Sequence, residues 1–226
     1  MRSASHIIYN LLYKPVLKLY LKSDSTVRFD GFILKVMKGV FHPKLFFSSS
    51  YFYAFLNKQE MKDLVFLEIG CGSGLLSLLA CRKGAVVTAV DIDPKAVQNT
   101  LLNFKKNNMH CPASVIQSDV FSGVPAQTFD VIAINPPYYF KKVETDSQYA
   151  WYCGQNGEYF SRLFAGLCSH MHSDSNVYMI LEENCEIDRI KVMAAQHKIY
   201  FELADEKTIR WEKNYIFRLR CKARGE

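Results

Sequence analysis

The chain has 226 residues, 49% of them hydrophobic, enough for one globular domain with a sizeable core and a small appendage but not for a second full domain. The 28 Lys and Arg against 22 Asp and Glu leave a formal charge of +6, which favours acidic partners such as RNA without deciding the fold. No run reaches the roughly 18 uninterrupted apolar residues of a spanning helix, so no membrane span is expected.

The opening "IIYNLLYKPVLKLYLK" is apolar only in short stretches, broken by Asn10, Lys14 and Pro15, with no small-residue cleavage site after it. It reads as a helix packed on the domain in preference to a secretory signal or a basic amphipathic segment on a membrane surface. Short strands follow in "VRFDGFILKVMKGVF", with Gly31 and Gly39 marking turns. Residues 1–59 therefore read as a small N-terminal extension and residues 60–226 as the main domain.

From residue 60 onward, β-branched runs alternate with helical patterns. Strands are expected at 63–69, 85–92, 113–119, 129–135 and 175–181, nearly continuous in apolar character as parallel strands covered on both faces should be. Helices are expected near 74–82, 94–107, 155–172 and 186–197, which together make an α/β sandwich around a mostly parallel sheet. In the tail, "KIYFELADE" and "NYIFRLRCKA" are joined by a short polar link, "KTIRWEK", and should pair antiparallel at one edge. Seven cysteines form no C-x-x-C pair and are odd in number, arguing for a reducing compartment, a soluble cytoplasmic protein, and no disulfide framework or cysteine zinc site. No set of metal ligands accompanies His170 and His172, which read as exposed helix-end residues.

The first strand of the main domain runs into "FLEIGCGSG", which places Gly70, Gly72 and Gly74 around Cys71 just before a helix. Glycines there permit positive φ and let a ligand approach the backbone. A dinucleotide loop, G-x-G-x-x-G, would need glycine where Leu75 stands, and Glu68 beside the loop would repel a pyrophosphate while suiting a cationic ligand. An NAD-dependent oxidoreductase is thereby disfavoured. The pattern E-x-G-x-G-x-G resembles the cofactor loop of class I S-adenosylmethionine-dependent methyltransferases. The resemblance implies a Rossmann-like fold, with a seven-stranded mostly parallel sheet, one antiparallel strand, and helices on both faces.

Asp91, with Ile92 beside it, ends the second strand 21 residues after Gly70, where a carboxylate can accept hydrogen bonds from both ribose hydroxyls. Asp93 precedes Pro94 and reads as a helix cap. The third strand ends in Ser118, Asp119 and Val120; by the resemblance, Asp119 takes the adenine amino group and Val120 packs on the ring.

The fourth strand ends in "INPPYY". A residue before proline is held extended and each proline fixes its own φ, so Asn135, Pro136 and Pro137 form a rigid corner. The Asn135 side-chain carbonyl and the Pro136 backbone carbonyl can accept hydrogen bonds from an amino group, and Tyr138 offers a flat face for a planar amide or base. "NPPY" resembles the signature of amino-methylating enzymes: protein glutamine N5-methyltransferases acting on release factors, N6-adenine methyltransferases and guanine-N2 ribosomal RNA methyltransferases. That likeness spans about residues 40–182. It implies S-adenosylmethionine as cofactor and a macromolecular substrate, with protein glutamine slightly favoured over an RNA or DNA base. A catalytically idle partner subunit on the same fold is the reading from another class. Upstream, "GVFHPKLFFSSSYF" looks like the segment that covers the cofactor in the glutamine-methylating group, which would bring Phe46, Phe47 and Ser48 to its methionine part; a β-turn with aromatic core residues is the plainer reading. About 38 residues precede this segment, too few for the helical domain of bacterial release-factor methyltransferases, whereas eukaryotic and archaeal relatives use a small partner subunit instead. The stretch "YFKKVETDSQYAWYCG" reads as a substrate lid, with Lys141 and Lys142 available for phosphates or an acidic protein surface and Trp151 and Tyr152 as anchors.

Overall fold

The computed structural model describes residues 23–44, 47–209 and 212–222. The helix expected at the start of the chain, and Phe46, lie outside these residues. The described chain begins with a hairpin of β1 (Ser25–Phe29) and β2 (Phe32–Val36), closed by Asp30 and Gly31 at φ 44° and 83°. Both turn residues are left-handed, as the two-residue turn matching strand twist requires.

Helix α1 (Phe47–Asn57) follows, then the expected alternation of β3 (Val65–Ile69), α2 (Leu75–Arg82), β4 (Val86–Asp91), α3 (Pro94–Lys106), β5 (Ala113–Gln117), β6 (Val131–Ile134), α4 (Glu158–Leu167), β7 (Asn176–Glu182) and α5 (Ile187–Ala195). The tail forms β8 (Ile199–Ile209) and β9 (Glu212–Cys221). Seven strands make one sheet in the order β5-β4-β3-β6-β7-β9-β8, in which β9 alone runs antiparallel to its neighbours. The chain steps outward from β3 to β5 and then returns to β6 on the other side of β3. This reversal leaves a crevice at the carboxyl ends of β3 and β6, where ligands bind in open α/β sheets.

The sheet is covered on both faces. One apolar cluster joins Phe66 and Val87 to Phe52, Leu56, Leu78 and Phe104; the other joins Leu67 and Ile132 to Phe160, Phe164 and Ile190. All four residues of β6 are buried, the signature of a central parallel strand.

The hairpin is attached by side chains. Asn99 and Asn103 of α3 and Asn107, which caps its C-terminus, repeat every four residues along one face. Their Oδ1 atoms accept from the N–H groups of Met37, Lys35 and Ile33 at 2.6, 2.8 and 2.8 Å, and their amide groups donate back to Lys35 and Ile33 carbonyls. The asparagines thus stand in for a neighbouring strand along β2. Asn103, fully buried, also donates to the Ser73 carbonyl at 2.9 Å, tying the hairpin to the glycine loop. Asn103→Ala leaves these buried backbone groups short of partners and should lower unfolding free energy by about 2–3 kcal/mol, read from the urea midpoint; an unchanged midpoint would contradict the tether.

Four expectations are corrected. Of the segment 39–52, read as cofactor cover or as a β-turn with aromatic core residues, the part from Phe47 onward is helix and not turn: its Phe, Tyr and Ser residues are poor helix formers, and burial of Tyr51, Phe52, Tyr53 and Leu56 overrides that preference. The polar link between the last two strands is itself mostly strand, with Lys207, Thr208 and Ile209 paired to Asn214, Lys213 and Glu212. His170 and His172 are half-buried: His170 stacks on Phe121 at 4.3 Å and His172 Nε2 lies 3.0 Å from Asp130. Finally, Cys81 is joined to Cys111 and Cys168 to Cys221, while Cys71, Cys153 and Cys185 are free and buried. Partners 30 and 53 residues apart give no local spacing signal; the fold alone brings them together. Among the described residues no helix is long and apolar enough to cross a membrane.

Candidate active site

A cavity of about 470 Å³ opens at the carboxyl ends of β3, β4, β5 and β6. Its floor is the glycine loop. Gly70, Gly72 and Gly74 all have positive φ, at 77°, 52° and 76°. The constraint is strictest at Gly74, where a Cβ would stand 2.8 Å from Thr100 Cγ2. Gly72 turns its N–H to Asp91 Oδ2 at 2.9 Å, while Asp91 Oδ1 accepts from Asp93 N at 3.0 Å. Each carboxylate oxygen keeps a second lone pair for a ligand hydroxyl. Burial pushes Asp91 up to about 6, so it is ionised at neutral pH. Ile92 lies beside it in the lining, and Asp93 Oδ1 caps α3 by accepting from Lys95 N.

Glu68 departs from its expected role as an anion near a cationic ligand. It lines the cavity, yet the residue is only 5% exposed, and Oε2 accepts from the Ser77 hydroxyl and from Ser77 N at 2.8 Å, satisfying the first turn of α2. Burial pushes it to about 8, so it is protonated at neutral pH and Asp91 is the charged acid of the floor. Its folded value stands above the ordinary 4.5, so its contribution to stability is full below about 4.5 and is lost as pH rises through about 8. Glu68→Gln should therefore flatten the fall in denaturation midpoint across that window; parallel slopes for the two proteins would refute the assignment.

At the third strand end, Ser118, Asp119 and Val120 line the cavity. Val120 sits at φ 53°, an uncommon conformation for a β-branched residue, held by Ser118 Oγ donating to the Val120 carbonyl and accepting from Gly123 N, both at 2.8 Å. Asp119 is less available than its position suggests: Arg162 Nε lies 2.9 Å from both its oxygens.

Asn135, Pro136, Pro137 and Tyr138 form the facing wall. A Cβ on Gly70 would lie 3.8 Å from the Asn135 carbonyl, so loop and corner abut. The Tyr138 ring meets Tyr139 edge-on at 4.9 Å, and both hydroxyls engage the buried Glu182 carboxyl, Tyr139 at 3.4 Å. Burial, reinforced by Glu212, pushes Glu182 to about 7.

The stretch 139–154, expected as a lid, folds over this wall. Tyr139 and Tyr152 make a parallel bridge, Tyr139 N donating to the Trp151 carbonyl and Cys153 N to the Tyr139 carbonyl. Trp151 meets Phe41 at 5.2 Å, so lid and N-terminal segment touch across the mouth. Lys142 lines the cavity; Lys141 instead lies 5.5 Å over the Tyr152 ring. From the upstream segment, Val40, Phe41, Pro43, Ser49 and Phe52 line it, whereas Phe47 and Ser48 are not among the lining residues. The helix explains the difference, since it turns Ser49 and Phe52 inward.

Sequence reasoning missed Phe52, Tyr159, Arg162 and Glu182, each a single residue without a spacing motif. Glu182 alone carried a signal, an acid ending a strand, as Asp91 does.

These features fit a nucleoside carrying a cationic sulfur: a backbone cradle over positive-φ glycines, one ionised carboxylate with free lone pairs, apolar walls, and a volume in the range of small-ligand sites. Known proteins agree with that fit. The sequence profile of the methyltransferase small domain matches residues 31–153. A Methanocaldococcus jannaschii protein assigned as a protein N5-glutamine methyltransferase is 33% identical over 136 residues, 58% of this chain and 66% of that one. Other curated relatives are matched over 37% and 22% of their length, so the chain spans only part of the proteins it resembles. Among solved structures, the E. cuniculi Mtq2–Trm112 complex, described as responsible for methylating the termination factor eRF1, superimposes with TM-score 0.60 at 16% identity, covering 81% of this chain and 99% of that one. The T. thermophilus 16S rRNA N2 G1207 methyltransferase with AdoMet and guanosine gives 0.59 at 17%, covering 87% and 50%. The chain belongs to the methyltransferase small domain family, with the Rossmann-like fold of S-adenosylmethionine-dependent methyltransferases.

Proposed function

We propose that the protein transfers a methyl group to a planar amide or exocyclic amine nitrogen of a macromolecule, with protein glutamine N5 slightly favoured. The observation that carries this reading is one cavity walled on one side by the glycine loop and on the other by Asn135, Pro136, Pro137 and Tyr138. S-adenosylmethionine, when bound, supplies an electrophilic methyl whose leaving sulfur needs no proton.

The chain's own residues then have positioning to do. Gly70, Cys71, Gly72 and Gly74 admit the ligand to the backbone; Asp91 accepts from ribose hydroxyls; Ile92, Asp119 and Val120 form the adenine end. Asn135 and the Pro136 carbonyl accept hydrogen bonds from the acceptor NH₂, directing the nitrogen lone pair at the methyl, and the Tyr138 face holds the planar group. Fixed geometry of this kind can supply most of the rate for a reaction with so little acid–base demand. The prolines and the Glu182 contacts hold that geometry before substrate arrives. The described part of the N-terminal segment acts as a cover through Val40, Phe41 and Phe52. A partner subunit is part of this reading, as the neighbouring Mtq2 structure is a complex with Trm112. A cytoplasmic location is part of this proposal, and thiol pools there would act on the two disulfides.

An RNA or DNA base, through adenine N6 or guanine N2, is the second reading, favoured by the +6 charge and by Lys142 in the lid. Incubation with labelled S-adenosylmethionine and cell extract separates the two: label removed by protease supports glutamine, label removed by nuclease supports a base, and no label in either contradicts the proposal.

A further inference from the structure

The wall formed by the first turn of α4 contains a polar group that no described residue pairs with. Tyr159 lines the cavity, and its hydroxyl oxygen is inaccessible to solvent yet has no hydrogen-bond partner among the described residues. A buried hydroxyl left unpaired destabilises the protein that carries it. The ring is one of the groups that line the cavity. It packs edge-on against Phe160 at 5.3 Å, and its backbone N–H is held by the Cys153 carbonyl at 2.9 Å, which joins α4 to the end of the lid. The start of α4 is itself pinned: Gly157, at φ 80°, sits so close to Phe140 and Met193 that a Cβ would meet them at 2.7 and 3.0 Å.

The surroundings identify the ligand atom. Asp91 and Asp119 both act electrostatically on the Tyr159 hydroxyl, Asp91 the more strongly, and burial keeps the phenol protonated and hence a donor at physiological pH. Asp119 is already engaged by Arg162. Among the described residues of this wall the phenol oxygen is thus an uncommitted polar atom, and it shares the cavity with Asp91.

We propose that the Tyr159 hydroxyl is a further binding group of the cavity, hydrogen-bonded to a ribose hydroxyl of the nucleoside held over Asp91. This rests on the S-adenosylmethionine reading of the site. It would make the α4 turn, joined through Cys153 to the lid, part of the nucleoside pocket and so couple that pocket to the substrate side.

The test is a calorimetric titration of the full chain and of Tyr159→Phe with S-adenosylhomocysteine and with its 2′,3′-dideoxy analogue. Loss of one such hydrogen bond should weaken S-adenosylhomocysteine about ten-fold in the variant. The melting temperature of the ligand-free variant should stay level or rise, because an unpaired buried hydroxyl is gone, and the two proteins should bind the dideoxy analogue alike. Equal affinity of both proteins for S-adenosylhomocysteine would overturn the assignment while leaving the cofactor reading intact. A ten-fold difference persisting with the dideoxy analogue would overturn the ribose contact. Failure of the unmutated protein to bind S-adenosylhomocysteine would instead remove the reading on which the assignment stands. Because the unmutated protein must itself prefer S-adenosylhomocysteine to the dideoxy analogue, the proposal can fail even if the variant does not fold.

Discussion

Asn135→Ala should lower the rate constant for methyl transfer by about 10²–10³-fold while leaving S-adenosylhomocysteine affinity close to that of the unmutated protein. The size follows from what the side chain does. It belongs to the wall of the cavity, whereas the floor is the glycine loop, through Gly70, Gly72 and Gly74. In the proposed mechanism it accepts a hydrogen bond from the acceptor nitrogen, and a misplacement of about 1 Å at a reacting centre costs roughly 10²-fold. Asn135→Asp keeps an acceptor but adds a charge beside the abutting loop, and should retain more activity than alanine. Single-turnover kinetics with a labelled methyl group, alongside calorimetry, distinguishes a lost clamp from a lost pocket. Affinity that falls in step with rate would move Asn135 from the substrate to the cofactor.

Gly74→Val should cost about 2–5 kcal/mol of stability and abolish cofactor binding. Two terms add. A side chain at φ 76° carries a left-handed penalty of about 1–2 kcal/mol. Its Cβ would also stand 2.8 Å from Cγ2 and 3.0 Å from Oγ1 of the fully buried Thr100, an overpacking that costs about 1–3 kcal/mol. Thr100 cannot swing away freely, because its hydroxyl donates to the Gly72 carbonyl at 3.2 Å and to Cys71 Sγ at 3.3 Å. The terms separate in a cycle: in a Thr100→Ala background, Gly74→Ala should lose the two closest contacts, to Cγ2 and Oγ1, and keep the conformational penalty with the 3.2 Å approach to the remaining Cβ. If Gly74→Ala proves equally costly with and without Thr100, the contact contributes nothing and backbone conformation explains the loop alone.

Much of this architecture can be read from the sequence because strand and loop chemistry is local. The strands from β3 to β7 lie within a few residues of their expected bounds, since each is a β-branched run closed by a glycine, an acid or a proline. Asn135, Pro136 and Pro137 stood out for the same reason: proline restricts its neighbours wherever the chain runs. What escaped notice depends on distant residues meeting. The aromatic helix α1 exists because Phe52 and Leu56 find a core on the sheet, against their own weak helix preference. Glu68 changes from anion to neutral acid because the chain buries it beneath Ser77, and Asp119 is taken by Arg162, 43 residues away. Tyr159 gave no signal at all, since an i-to-i+n pattern cannot show that a hydroxyl will lack a partner. Likewise the pairing of Cys168 with Cys221 follows from where β9 inserts in the sheet, which even a correct list of elements leaves open.

A crystal structure of the protein with S-adenosylhomocysteine is the most direct measurement of the arrangement on which these expectations depend. The ligand should lie over the glycine loop with its ribose on Asp91 and its sulfur turned toward Asn135 and Pro136. An empty cavity at saturating ligand, or a sulfur pointing away from the Asn135 wall, would contradict it.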